Sequence, residues 1–174
     1  MTIRAAGIAD AAGIARVHVD AWRSTYRGIV PDSLLDGLSY EQRARTRREH
    51  LEKADPDCCS FVAVDGRAGI VGFSVAGPRR DGDAGYSGEL YALYVLDEHQ
   101  GKGLGKRLFL ETVRWLSQRG HASLLTWVLE RNPSRGFYPA MGGIEVGTKT
   151  IELGVPLVEV SYGWADLNRF VEKQ

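Results

Sequence analysis

Cysteine is almost missing from this chain of 174 residues: the two present, Cys58 and Cys59, are adjacent. Neighbouring Cα atoms stand about 3.8 Å apart, short of the roughly 4.4–6.8 Å that a disulfide spans. The pair therefore reads as reduced strand residues and not as a redox or metal site. The four histidines, His18, His50, His99 and His121, are scattered without the spacing of a ligand set, so no metal is expected. Net charge is lacking as well, since 22 Lys and Arg balance 22 Asp and Glu. Neither nucleic-acid phosphate nor an anionic membrane is drawn to a neutral chain, which argues against both as partners. No apolar run approaches the ~20 residues that cross a bilayer, and Arg4, Asp10, Arg16 and Asp20 break up any signal-like stretch near the start. A cytoplasmic protein is the expectation.

What is present is ordinary globular usage, 44% hydrophobic and 25% charged. Area scaling leaves roughly 8,400 Å² exposed out of about 28,000 Å² for the unfolded chain, enough burial for one core without staples. Nothing reads as a linker, repeat or low-complexity segment, so residues 1–174 are read as a single domain.

The periodicities give an α+β order. Residues 2–5 read as a strand, and Asp10 is placed to cap a helix carrying Ile14, Val17, His18, Ala21 and Trp22 on one face. Gly28 and Pro31 punctuate the stretch after Tyr26, and 39–53 is a polar helix whose charges need only solvent. Residues 58–64 and 70–75 flank a turn-rich 65–69 and suit an antiparallel hairpin. A loop, 78–85, precedes the strongest strand signal, 89–96, which is apolar on both faces after Glu89 and hence central. A helix is expected over 104–119 with Gly120 as its stop, then a strand over 122–128, a short helix over 133–141, and strands over 144–151 and 155–164.

The chemistry concentrates where the central strand meets the next helix, at Gln100, Gly101, Lys102, Gly103, Leu104, Gly105 and Lys106. Glycines allow a sharp turn and close approach, and a helix start offers unpaired N–H groups and partial positive charge, a combination that binds phosphate. Lys102, Lys106 and Arg107 add cations. A Walker A loop is excluded because Gln100 and Arg107 stand where Gly and Ser or Thr are needed. A dinucleotide fingerprint is disfavoured because Lys106 replaces its last glycine.

With Gln100, Gly103 and Gly105 matching the motif Q/R-x-x-G-x-G/A between a long strand and a helix, the chain resembles the GNAT superfamily of acetyl-CoA-dependent N-acetyltransferases. The resemblance extends over IRAAGIADAAGIARVH, WRSTYRGIVP, ELYALYVLDEHQGKGLGKRL and VLERNPSRGFYPAMGG, in the family's order. It implies a GNAT-like fold, a mixed, mostly antiparallel central sheet flanked by helices, with acetyl-CoA as co-substrate. It further implies that Leu93 and Val95 offer backbone groups to the pantetheine arm, that 100–106 cradles the pyrophosphate, that Asn132 reaches the pantetheine amide, and that Tyr138 stands near the thioester sulfur. Gly143 departs from the family, where many members carry Phe, and this puts local packing in question.

Acetylating an amine requires a neutral nitrogen, so a base must take its proton. Glu89, opening the central strand, is the candidate, directly or through water, with a pKa that burial would raise toward usefulness. Backbone N–H groups of Tyr94 or Val95 are expected to stabilise the oxyanion, and Tyr138 to protonate the departing thiolate. Trp22, Tyr26, Tyr91 and Trp127 are candidate walls of an acceptor pocket, suited to an apolar or cationic substrate. The acceptor is expected to be a primary amine of a small molecule or peptide. A non-catalytic acyl-CoA sensor of the same fold, and transfer of a longer acyl group, are the alternatives. The apolar strands after Ile144 favour a homodimer.

Overall fold

A computed structural model describes residues 1–80 and 85–172. Positions 81–84 of the expected 78–85 loop lie outside the described residues. Seven strands form one sheet in the order β1-β2-β3-β4-β5-β7-β6. They are β1 (Thr2–Ala5), β2 (Cys59–Asp65), β3 (Gly69–Pro78), β4 (Gly88–Val95), β5 (Leu124–Leu129), β6 (Ile144–Glu152) and β7 (Pro156–Trp164). Every neighbouring pair is antiparallel except β4 and β5. That parallel pair is joined by the crossover helix α4 (Leu104–Gln118), as parallel strands require. The expected central strand is thus fourth of seven, and the mixed, mostly antiparallel sheet agrees with the sequence reading.

Between β1 and β2 run α1 (Ala11–Tyr26), α2 (Asp32–Asp36) and α3 (Tyr40–Lys53), and α5 (Phe137–Ala140) and α6 (Leu167–Glu172) follow β5 and β7. Adjacent strand residues show which face each helix covers. His18 of α1 lies 6.0 Å from Phe73, whereas Ser74, one residue on, bonds Thr112 of α4 at 2.8 Å. Successive strand side chains point to opposite faces, so α1 and α4 sandwich the sheet. α1 buries Ile14, Val17 and Ala21, and α4 buries Leu104, Leu108, Phe109, Val113 and Leu116, both at helical spacing.

Three local readings change. Asp10 makes no side-chain cap to α1. Its carboxylate accepts instead from Gly7 N–H at 2.8 Å and from both arms of Arg4 at 2.6 and 2.8 Å, because the chain first makes a short 3-10 turn. Only 137–140 of the expected 133–141 helix is helical, since Asn132 Oδ1 accepts Ser134 N–H at 2.8 Å and holds the preceding residues in a turn. Helices α2 and α6 were not expected; both are too short to show a period. α3, as expected, buries no residue fully, and Ser39 Oγ caps it by accepting Gln42 N–H at 3.2 Å.

β4 carries the two irregularities that shape the site. It pairs with β5 only over Gly88, Glu89 and Leu90, against Leu124, Leu125 and Thr126; beyond these residues the two strands part. On its other side, Leu90 pairs with Ala76 and Ala92 with Val75, leaving Tyr91 as a bulged extra residue.

Candidate active site

Backbone direction along β4 follows from one bond. Leu96 N–H donates to Val71 O of β3 at 2.9 Å, and polar groups alternate sides along a strand. Tyr94 therefore faces β3, while Leu93 and Val95 direct their N–H and C=O into the gap left by β5. Gln100 Nε2 confirms the direction by donating to Val95 O at 3.0 Å. Of the two expected oxyanion donors, the Val95 N–H points into the gap and the Tyr94 N–H is turned to the sheet; the Leu93 N–H also points into the gap.

The gap opens on a cavity of about 520 Å³. Leu93, Tyr94, Val95, Gln100, Gly101, Gly103, Leu104, Gly105, Lys106, Asn132 and Tyr138 all line it, joined by residues the sequence reading missed, among them Thr25, Ser134, Phe137 and Met141. Gly101 and Gly103 have φ of 69° and 75°, and a Cβ on either would meet no protein atom within 4 Å, so both the turn and the open space before it call for glycine. α4 has no side-chain cap. Its first internal bond is Arg107 N–H to Gly103 O at 3.1 Å, and the N–H groups of Leu104, Gly105 and Lys106 find no acceptor among the described residues. These orphan donors at a helix start fit a diphosphate. Lys102 does not join them, because its ammonium donates to Glu98 O at 2.7 Å. Arg107 is likewise turned to Met1 O at 3.3 Å.

A second cavity, of about 300 Å³, shares Leu93, Tyr94, Asn132 and Tyr138 with the first. All four expected aromatic residues, Trp22, Tyr26, Tyr91 and Trp127, line it. Hydrogen bonds lock the shared boundary: Trp22 Nε1 donates to Tyr94 Oη at 3.0 Å, and Asn132 Nδ2 to Tyr26 Oη at 3.1 Å. His18 stacks on Tyr94 with ring centroids 5.5 Å apart. Burial, then the charges of Arg43 and Arg47, lower its pKa to about 4. Tyr138 stacks on Tyr162 at 5.6 Å. Burial lifts its hydroxyl above the ordinary phenol range, Tyr94 adds to this, and a bond with Thr126 opposes it. Thr126 Oγ1 in turn donates to Leu90 O at 3.0 Å, where β4 and β5 part. Tyr138 therefore stands at the apex of the gap, between the two cavities.

Glu89 lines neither cavity. It is 2% exposed, and its carboxylate accepts from Arg80 N–H at 3.0 Å, from Arg80 Nε at 3.1 Å and from the same guanidinium's Nη2. Arg80 also lies 4.4 Å from the Tyr91 ring. Among the described residues, the carboxylate that lines the second cavity is Glu159 of β7, which pairs with Lys149 at 3.5 Å. One signal could have pointed there: a single acid between Val158 and Val160 in an otherwise apolar strand. Both cysteines are free. Burial pushes Cys59 up to about 12 and, with Asp55, raises Cys58, which makes both poor nucleophiles. At Gly143 a Cβ would come within 2.7 Å of Trp164, whose Nε1 donates to Met141 O at 2.8 Å. The Trp164 indole occupies the space a side chain at this position would need.

Residues 18–142 match the acetyltransferase (GNAT) family. The chain is 40% identical over 169 residues to the "Uncharacterized N-acetyltransferase YuaI" of Bacillus subtilis (strain 168), covering 97% of this chain and 95% of that protein. Among solved structures it resembles a ribosomal-protein-alanine N-acetyltransferase from Brucella melitensis (TM-score 0.75, 23% identity, 95% and 99% of the two chains). It also resembles yncA, a putative acetyltransferase from Salmonella typhimurium solved with acetyl-CoA (TM-score 0.70, 20% identity, 95% and 93% covered). With its glycine turn, parted strands and paired cavities, this chain belongs to the GNAT acetyltransferase family.

Proposed function

We propose that the protein transfers acetyl from acetyl-CoA directly to a primary amine held in the smaller cavity. The observation that carries this reading is the parting of β4 from β5 after Leu90, which exposes Leu93 and Val95 along a gap ending at the uncapped start of α4. Acetyl-CoA supplies an acetyl group activated as a thioester. The N–H groups of Leu104, Gly105 and Lys106 hold its diphosphate, with Gly101 and Gly103 admitting close approach. Leu93 and Val95 pair with the pantetheine arm as an added strand would, and Asn132 bonds its amide. An N–H of Leu93 or Val95 stabilises negative charge developing on the thioester oxygen. Tyr138, kept protonated by burial, donates to the leaving sulfur. A volume of about 300 Å³ suits a small amine or the end of a peptide chain.

Thermal melting in parallel with acetyl-CoA, coenzyme A, NAD and ATP tests the first half. A ligand at 100 times its Kd adds about 2.7 kcal/mol, roughly 5–10 °C for a chain of this size. A shift with NAD and none with acetyl-CoA overturns the reading. One observation favours the acyl-CoA sensor: the strand glutamate is wholly occupied by Arg80. Thiol release over an amine panel separates the two, since a sensor never exceeds background hydrolysis. Edge strand β6 exposes Ile144 and Val146, a surface that a second copy of the chain would cover; light scattering reads this directly.

A further inference from the structure

The smaller cavity is lined by aromatic and aliphatic side chains together with Thr126 and Asn132, and among the described residues one carboxylate, Glu159, joins them. Strand pairing explains how it comes to be there. Glu159 sits opposite Leu129 of β5 on one side and Lys149 of β6 on the other, while Ser161, two residues on, sits opposite Trp127. Directly paired residues share a face, so Glu159 belongs to the same surface as Trp127, Leu129 and Leu157, under α1 and α2. Its side chain is 19% exposed, against 38% for Lys149, which does not line the cavity. Lys149 lies instead over the Trp127 ring, with its ammonium 4.1 Å from the centroid. Among the described lining residues the cavity thus presents one carboxylate beside Thr126, Asn132 and the aromatic rings. Burial is the chief cause that raises the Tyr94 pKa, and Glu159 adds to it, so the charge reaches the boundary between the two cavities as well.

A carboxylate largely withdrawn from water is costly unless a cation meets it, and aromatic faces favour cations too. The present partner is a lysine reaching in from the rim at 3.5 Å, longer than a well-formed charge-assisted bond. We infer that Glu159 is the acceptor-binding and proton-accepting residue, and that the acceptor is a compact primary amine with an aromatic or apolar skeleton and no carboxylate beside the nitrogen. The inference rests on the acetyl-transfer reading above. The amine enters as an ammonium, displaces the Lys149 ammonium from Glu159, and gives Glu159 one proton. Its lone pair then forms the C–N bond as the thioester C–S bond breaks, with the bonding electrons going to sulfur. The second nitrogen proton leaves through water and restores Tyr138, which has given its own proton to that sulfur, and Glu159 returns its proton to solvent. An α-carboxylate would lie against Glu159 and be repelled.

The test compares 2-phenylethylamine and tyramine with phenylalanine and tyrosine, using wild type, Glu159→Gln and Lys149→Met, with the acetyl-CoA melting shift measured in each. The wild type should favour each amine over its amino acid by about tenfold or more, the size of one lost charged contact. Glu159→Gln should raise KM for the amines by a similar factor, lower kcat as loss of the proton acceptor requires, and erase the preference, with the acetyl-CoA shift intact. Lys149→Met, which removes the competing cation, should lower that KM. Preference for the amino acids, unchanged kcat/KM in Glu159→Gln, or an acetyl-CoA shift without turnover of any of the four compounds overturns the inference. Absence of the acetyl-CoA shift in wild type overturns the reading beneath it instead.

Discussion

Trp22 on α1 donates its indole N–H to the Tyr94 hydroxyl on β4 at 3.0 Å, and this one bond ties the first helix to the central strand where the two cavities meet. Tyr94→Phe strands the Trp22 N–H, whereas Trp22→Phe removes the donor and leaves a hydroxyl that still has Tyr26 beside it. Each should cost about 1–2 kcal/mol. The double variant should cost less than their sum by roughly 0.5–1.5 kcal/mol. Urea unfolding of the four proteins closes the cycle, and strictly additive losses would show that the bond is not formed in solution.

Glu89→Gln should behave as a stability variant. The change removes the negative charge facing Arg80 in a side chain only 2% exposed, but Arg80 itself keeps access to water, so the loss should fall near 2 kcal/mol, below that of a fully buried pair. The melting midpoint should drop by about 4–8 °C. The acetyl-CoA shift and kcat should stay within about twofold at temperatures where the variant is folded. A loss of 100-fold or more in kcat with unchanged stability would restore Glu89 as the base.

Where local chemistry decides the structure, the sequence was readable. The turn at 100–106 needs positive φ at Gly101 and Gly103 and an open helix start at Leu104, and all of that is written in adjacent residues. The surroundings of Glu89 were not legible in the sequence because the decisive features are not local. The bulge at Tyr91 changes the parity of β4, so Glu89 shares a face with Ala92 and Tyr94 and not with Leu93. Its partner, Arg80, lies across a loop whose course no pattern fixes. Glu159 was missed for a related reason: β7 comes to lie between β5 and β6 only after the chain has folded back, and pairing, not sequence neighbours, brings it to the cavity that Trp22 and Trp127 also line. Asp10 was placed at the right helix boundary but given the wrong bond, because Arg4 and Gly7 compete for its oxygens.

His18 makes stability depend on acidity. Its pKa in the folded protein is about 4, below the ordinary 6.5, so the unfolded chain binds the extra proton more readily and stability rises with pH between the two values. The contribution is fully present above about pH 6.5 and is lost as pH falls toward 4, amounting to about 3 kcal/mol. His18→Gln should flatten the melting midpoint across that window. Removing the Arg43 charge should steepen nothing but narrow the window, because one cause of the depression disappears. A midpoint in His18→Gln that falls with acid as steeply as the wild type would show that His18 is not the group responsible.

Gly103→Ala separates strain from occupancy. With φ at 75°, any L side chain is disfavoured by about 1 kcal/mol, although the new methyl meets no protein atom within 4 Å. The fold should therefore survive with a midpoint lowered by roughly 2–4 °C. The methyl projects into the space assigned to the diphosphate, so the affinity for coenzyme A should fall by more than tenfold, a loss above the strain alone. Equal affinity in isothermal titration would move the diphosphate elsewhere.

Tyr138→Phe keeps the stack on Tyr162 and removes only the hydroxyl. Burial holds the Tyr138 pKa above the usual value of 10, so in the wild type the group stays protonated, and kcat should show no fall attributable to it up to about pH 10. A thiolate, with a pKa near 8.5 by analogy with cysteine, leaves tolerably well without help, so the variant should keep measurable activity, down by about 10–100-fold in kcat. KM for acetyl-CoA should barely move, since the ring still lines both cavities. The loss should also shrink when the product thiol is made more acidic, because a better leaving group needs the donor less. A variant equally slow with every thioester would point to a role for Tyr138 in holding the acceptor, not in protonating sulfur.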